Sequence, residues 1–371
     1  MWPSWKYTGP RKNFHGNRYG SRFDRFEGNH PGEVAKVRSL ARPGYLQTGQ
    51  DRCYDESGQE IACPGSGQDG EYRRGVPWPE PRFKAEGDVV EDRLTGLSWT
   101  RDAGPAEFPL SWGEAFDWVR DFNRRRGSGY QDWRLPNRRE LYSLLSFQDC
   151  RPALPAGHPF VNVFGGWYWS STTAVLHPAH AWYVNLAGAR MFYGGKDQSF
   201  MVWPVRGRSR MVPATGQKRC YAENKIMACA GSGQDGESRW GRPWPEPRFH
   251  VTNEGVQDRL TGLVWQRDPG RFREAVRWRE ALEIARAAKD PWRLPNINEL
   301  ESLVDCDAAQ PALPAGHPFV RLHDIYWSST TSAYETDWAW ALYLDKGAVG
   351  VGHKPFARFH VWLVCDGDAS P

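Results

Sequence analysis

The chain has 371 residues, and 40% of them are apolar, enough for two or three ordinary domain cores. Its 20 Trp, 38 Gly and 28 Pro point to short strands and many turns packed around large aromatic anchors. A formal net charge of +4 is too small to argue for nucleic acid, and no apolar run reaches the roughly 18 residues of a membrane-spanning helix.

Residues 1–44 hold much of the positive excess, with Lys6, Arg11, Lys12, Arg18, Arg22, Arg25, Lys36, Arg38 and Arg42 against Asp24, Glu27 and Glu33. Rich in Gly, Asn, Arg and Pro and poor in aliphatics, this stretch reads as a flexible basic arm. It is either a solvated tail or a segment that touches phosphates or sulfated sugars. It has no apolar h-region and so is not a secretory signal peptide.

A first domain is expected over 45–208. Cys53 and Cys63 flank a short hairpin-like stretch, and a further hairpin is expected over 89–99, turning through Leu-Thr-Gly. Ser111 and Glu114 form a capping-box pattern that opens a helix over 111–126, with Ala115, Trp118, Val119 and Phe122 on one stripe. After the strand-like WRLPN, Asn137 and Glu140 repeat the pattern and start a shorter helix carrying Leu141, Leu144 and Leu145. Trp182, Val184 and Leu186 then alternate with Tyr183 and Asn185, which puts the Trp side of a strand in the core. A short apolar strand over 201–205 closes the unit.

Past a linker at 209–215, the same series returns over 216–367, leaving a tail at 368–371. GSGQDGE stands at 65–71 and 231–237, PWPEPRF at 77–83 and 243–249, and DRLTGL at 92–97 and 258–263. WRLPN stands at 133–137 and 292–296, PALPAGHPFV at 152–161 and 311–320, and YWSSTT at 168–173 and 326–331. The second copy predicts a hairpin over 256–265 and a helix over 271–289 with Ala275, Trp278, Leu282 and Ala285 inward. A short helix capped by Asn296 and Glu299 follows, then alternation of Trp340, Leu342 and Leu344, and a closing strand over 361–364. A unit of this length is too long for a solenoid repeat, so two tandem domains are expected.

The ordered series DRLTGLxWxRD, helix, WRLPNxxELxSL, PALP, YWSSTT and VWxV resembles the Lcl C-terminal (DUF1566) family and covers nearly all of both copies. The family resembles the C-type lectin fold, so the resemblance implies an α+β chain of two such domains, each with two helices packed on short twisted antiparallel sheets. It is also similar in pattern to formylglycine-generating-enzyme-like domains, which share an RLP-type strand-to-helix step. The resemblance further implies a secreted or surface-displayed binding domain. Relatives bind sulfated polysaccharides, and some serve as variable receptors.

The cysteines add a compartment argument. Cys53 with Cys63, and Cys220 with Cys229 at the matching place, are expected as local disulfides, because no CxxC or neighbouring His pair supplies four metal ligands. Cys306 and Cys365 lie opposite Phe147 and Arg206, and their joint absence from the first copy predicts a third bond between them. Cys150 is left over, as a free thiol or an intermolecular one. Paired cysteines fit an oxidising, extracellular or cell-surface location.

Catalysis is not expected. The closely spaced late cysteine pair of the formylglycine-type oxidases has no match. Ser170/Ser171 and Ser328/Ser329 lack a nucleophile elbow, and His158 and His317 sit in Gly-His-Pro loops without a visible nucleophile. The Asp and Arg of DRLTGLxWxRD are expected to pin the hairpin. No cofactor is expected. Calcium binding through backbone carbonyls stays open, but Glu80-Pro81-Arg82 and Glu246-Pro247-Arg248 place Arg where an oxygen ligand is needed.

What differs between the copies is the stretch after YWSSTT, either a binding surface held on a rigid scaffold or ordinary loop drift. Its outward candidates are Tyr183, Asn185, Arg190, Phe192, Tyr193 and Lys196, then Tyr343, Asp345, Lys346, His353 and Lys354. Aromatics stack on sugar rings and Lys or Arg pair with sulfate or carboxylate. The expected function is therefore non-catalytic, adhesin-like recognition of a polysaccharide, an anionic one included, or of a glycoconjugate through the late loops of each domain, with two linked sites adding avidity. The alternative is a surface protein-binding or self-associating display module of a surface appendage.

Overall fold

The computed structural model describes residues 44–288 and 291–367. The basic arm up to residue 43 and the tail at 368–371 lie outside the described residues.

Local chemistry sets most of the helices where the sequence places them. Ser111 caps α1 (Trp112–Arg124) through a reciprocal box in which the Ser111 N–H donates to Glu114 Oε2 at 2.9 Å. Asn137 and Glu140 cap α2 (Arg138–Tyr142) in the same way. The expected helix over 271–289 is shorter and becomes α3 (Trp278–Ala287). Residues 269–271 form a 3-10 turn, and Val276 is drawn into a two-way backbone bridge with Phe359 at 2.9 and 3.0 Å. The chain is thus extended until Glu280 accepts from the Arg277 N–H at 2.8 Å. Asn296 and Glu299 cap α4 (Ile297–Ser302).

Each half carries a four-stranded antiparallel sheet. In the first it orders Phe83–Glu86, Val89–Asp92, Leu97–Thr100 and Val205–Arg206. In the second it orders Phe249–Val251, Val256–Asp258, Leu263–Trp265 and Val364–Asp366. The DRLTGL turn is held by its Asp. The Asp92 carboxylate accepts from Leu94 N–H, from the Thr95 hydroxyl and from both Nε and Nη2 of Arg82. The pinning arginine therefore comes from PWPEPRF, and its guanidinium lies 4.8 Å from both the Trp78 and Phe83 rings. Arg248 and Asp258 repeat the arrangement.

The remaining six strands form one sheet that crosses the repeat boundary. They are β1 (Trp167–Thr173), β2 (His180–Asn185), β3 (Arg190–Gly195), β4 (Ile325–Thr331), β5 (Trp338–Tyr343) and β6 (Ala348–His353), in the order β4-β5-β6-β3-β2-β1. At the join, Met191 pairs with Val349. These residues are equivalent in the two repeats, so the halves meet about a pseudo-twofold axis, as in an isologous dimer. Beneath the sheet one core gathers Trp182, Val184 and Met191 of the first half with Ile297, Trp340 and Val349 of the second. The two repeats together form one compact unit.

The N-terminal piece of each repeat is exchanged onto the other half. The Cys53–Cys63 and Cys220–Cys229 disulfides each clamp a small hairpin followed by GSGQDGE. Gln50 of the first such cystine module exchanges two hydrogen bonds with the backbone of Thr331, and Asp69 accepts from both Thr48 and Thr330. Reciprocally, Gln217 exchanges two bonds with Thr173, and Asp235 accepts from Thr215 and Thr172. The repeated QDG and SSTT motifs are thus the two sides of one dock. Residues 209–215 run within this assembly, with Ser209 donating to Thr95 O at 2.7 Å and Arg139 donating to Ala214 O at 2.8 Å.

The third expected disulfide is corrected by the structure. Cys306 is a free, buried thiol, so it is not bonded to Cys365. Its backbone is held between the Thr215 carbonyl and the Gln217 amide, which fixes it in the module dock, while Cys365 lies in the closing strand opposite Val264. Burial pushes the Cys306 thiol up to about 12. Cys150 is free and exposed.

Candidate functional site

The open face of the six-stranded sheet carries aromatic rings from both halves. β2 contributes Tyr183 and β3 contributes Arg190 and Phe192. β5 contributes Tyr343, and the turn after it contributes Lys346. Strand pairing places Tyr183 beside Phe192 and Tyr343 beside Ala348, so these side chains share the face opposite Met191 and Val349. The Lys346 ammonium lies 5.4 Å from the centroids of both Phe192 and Tyr343, which joins the halves across the seam. Arg190 reaches Glu335 of the other half at 3.9 Å.

Glycines let these rings lie flat. A Cβ on Gly350 would stand 2.8 Å from Tyr343 Cε2, and one on Gly194 would meet Tyr183 and Phe200 at 3.2 Å. The Tyr343 hydroxyl can then reach across and donate to Val351 O at 3.3 Å. Burial raises the pKa of Tyr183 and Tyr343, with Arg190 working against it, so both phenols are neutral donors at ordinary pH. Phe200 packs on Tyr183 at 5.0 Å and stacks on Trp167, which is 45% exposed and extends the platform to the sheet edge.

Most of the other sequence candidates are engaged elsewhere. Asn185 accepts from the Ala187 and Gly188 N–H groups and holds the β2–β3 turn. Tyr193 packs edge-on against Trp182 and beside His177 and His180. His353 bonds Asp337 at 3.0 Å, whereas Asp345 accepts the Gln310 N–H only through its backbone carbonyl and keeps a buried Oδ1 with no partner among the described residues.

The two lysines belong to the module docks. Lys354 was expected to face outward but is fully buried. Its ammonium sits 4.1 Å over Trp278 and donates to the Tyr54, Asp55 and Thr336 carbonyls. Burial lowers its pKa to about 7. Lys196 is the half-buried counterpart, 4.1 Å over Trp112 and donating to Tyr221 O, with its pKa lowered by burial to about 8.

Sequence reasoning missed Trp167, Phe200 and the seam itself. Trp167 precedes the identical YWSSTT and is matched by Ile325 in the second repeat, so no internal match draws attention to it. Among the described residues no helix is long and apolar enough to cross a membrane, and no cluster of three or more His, Cys, Asp or Glu is placed to hold a metal ion.

The architecture defines an intramolecular pseudo-dimer of two α+β domains with an aromatic and cationic seam. Both halves match the Lcl C-terminal domain over residues 88–206 and 254–365, more than half of the chain, and the protein belongs to that family. Both matched segments begin after the cystine modules. Comparison with curated proteins returns no match.

Proposed function

We propose that the protein is a non-catalytic, extracellular or surface-displayed binding protein that recognises anionic polysaccharide on the seam face, through domains of C-type-lectin-like type. The observation that carries this reading is that Tyr183, Phe192 and Tyr343 share one sheet face with Arg190, and that the Lys346 ammonium of the second repeat lies 5.4 Å from both Phe192 and Tyr343. Flat rings offer stacking area for pyranose C–H faces, and two cations from different repeats suit sulfate or carboxylate groups spaced along a chain. The two disulfides fit an oxidising compartment, which supports export.

The test is binding of the full chain to heparin and to dextran sulfate, with neutral dextran as control, in calcium and in chelator. The expected result is salt-sensitive binding that weakens at least tenfold in Arg190→Ala/Lys346→Ala, while the melting temperature is kept. Equal binding by the double variant, or silence on both sulfated polymers, sinks the reading and favours an adhesive display module that recognises protein.

A further inference from the structure

Two clefts, one in each half, are built from the same pair of loops. Residues 77–83 face 155–159 around a cleft of about 460 Å³, and residues 243–249 face 314–318 around one of about 760 Å³. Both loops are identical in sequence between the halves. Much of this identity serves packing, since Arg82 and Arg248 are buried hairpin pins. Packing does not account for Glu80, Ala156 and their counterparts Glu246 and Ala315, which are exposed. Other exposed stretches have drifted, as residues 174–180 and 332–337 show. Retention of exposed identical residues around a cavity, where the loops at 174–180 and 332–337 diverged, indicates a shared task.

The polar groups in the clefts have spare capacity. The carboxylates of Glu80 and Glu246 make no hydrogen bond or ion pair among the described residues. The His158 and His317 side chains make no hydrogen bond among the described residues; each Nδ1 is enclosed by protein, which leaves Nε2 as the accessible nitrogen, and burial lowers both imidazole pKa values, so each ring is neutral. Trp78 and Trp244 donate their indole N–H groups to Gln47 O and Ala214 O, which fixes each indole at the cleft wall. Arg73 and Arg239 of the cystine modules stand at the rims.

We propose that these clefts are a pair of equivalent sites, each taking one neutral pyranose unit. An indole and flanking prolines supply an apolar wall for a sugar's C–H face. A free carboxylate and a neutral imidazole supply hydrogen-bond partners for its hydroxyls. A cleft carrying both Glu and Arg has no net preference for an anion. The sites are distinct from the seam and do not depend on it.

The test is calorimetric titration of the full chain with maltotriose, cellotriose, mannotriose and chitotriose, to about 10 mM, a range that reaches millimolar affinities. The expected result is saturable binding of at least one of them at two sites per chain. Glu80→Ala or Glu246→Ala alone should leave one site, and the double variant should weaken binding at least tenfold with an unchanged melting temperature. Arg190→Ala/Lys346→Ala should keep both sites. Absence of binding by all four sugars, unchanged binding in Glu80→Ala/Glu246→Ala, or a decaproline peptide titrating in their place would overturn the proposal.

Discussion

Glu301 faces two buried guanidinium groups across the pseudo-twofold axis. Arg138 donates to it at 3.1 Å and also to Gly347 O, and Arg139 donates to both its oxygens at 3.1 Å. The equivalent positions are Ile297, Asn298 and Tyr142, so the charges run one way only, from α2 to α4. A like-with-like pairing of two first repeats would bring four guanidinium groups together with no such carboxylate. Removing one partner of a buried pair leaves an uncompensated charge, so Glu301→Ala should cost roughly 3–5 kcal/mol of unfolding free energy. Urea unfolding checks this, and a loss under about 1 kcal/mol would show the pair to be dispensable. The docks add a pH signature. Burial raises Asp69 from 3.8 to about 7 and Asp235 to about 6, while it lowers Lys354 from 10.5 to about 7. A raised carboxyl stabilises the fold fully below pH 3.8, and that stability is lost as pH rises through its folded value. A depressed lysine stabilises fully above pH 10.5, and that stability is lost as pH falls through 7. Both contributions are therefore smallest near pH 7. Asp69→Asn should flatten the fall in urea midpoint between pH 5 and 7, and Lys354→Met the rise between pH 7 and 9. Curves parallel to that of the parent protein would exclude these groups.

The cystine modules show how an element can serve the half of the molecule it does not belong to. Each disulfide closes a loop of about ten residues, which in the chain-entropy account is worth about 2–3 kcal/mol. The module that holds Cys220 and Cys229 docks on β1, where Thr172 and Thr173 meet Asp235 and Gln217. Replacing both cysteines by Ser should therefore speed amide hydrogen exchange first along β1, with β4 protected as before. Faster exchange confined to β4 would contradict the exchanged dock. The elements themselves were largely legible in the sequence. Ser111, Asn137 and Asn296 with their glutamates mark helix starts because a cap is a local, four-residue interaction. The alternation around Trp182 and Trp340 marks strands because burial has a period of two. The partners were not legible. Gln50, Asp69 and Thr330 read as polar residues in shared motifs, and nothing local states that a side chain at 50 bonds a backbone at 331. The joint absence of Cys306 and Cys365 from the first repeat predicts a bond, yet the backbone of Cys306 is anchored in the dock and its buried thiol is free. Lys354 stands among the outward candidates because it lies in the late stretch after YWSSTT, where a ligand face is expected. Its burial comes from a module 300 residues earlier. The α3 start was misplaced for the same reason, since Val276 bridges to distant Phe359.

At the scale of the whole molecule, three features bind the repeats into one cooperative body: the continuous sheet, the shared core and the two exchanged modules. Loss of one half removes the dock of the other half's module, strips Trp340 from Phe147, and leaves β3 or β6 as an open sheet edge. Neither half can unfold without exposing apolar surface on its partner, so an intermediate with one folded repeat is costly in both directions. Scanning calorimetry under non-reducing conditions should thus give a single transition for the described body. Its van't Hoff enthalpy should equal the calorimetric enthalpy, near 0.7 kcal/mol per residue taken over both repeats rather than one. Two separable transitions, or a van't Hoff value near half the calorimetric one, would mean that the repeats unfold independently despite the exchange. The same coupling bears on binding. Arg190 and Lys346 come from different repeats, so the proposed seam exists only while the halves are joined. In Glu301→Ala, heated to where the parent protein is still folded, polysaccharide binding should be lost at the unfolding midpoint and not before it. Binding that outlasts that transition would place the site within a single repeat.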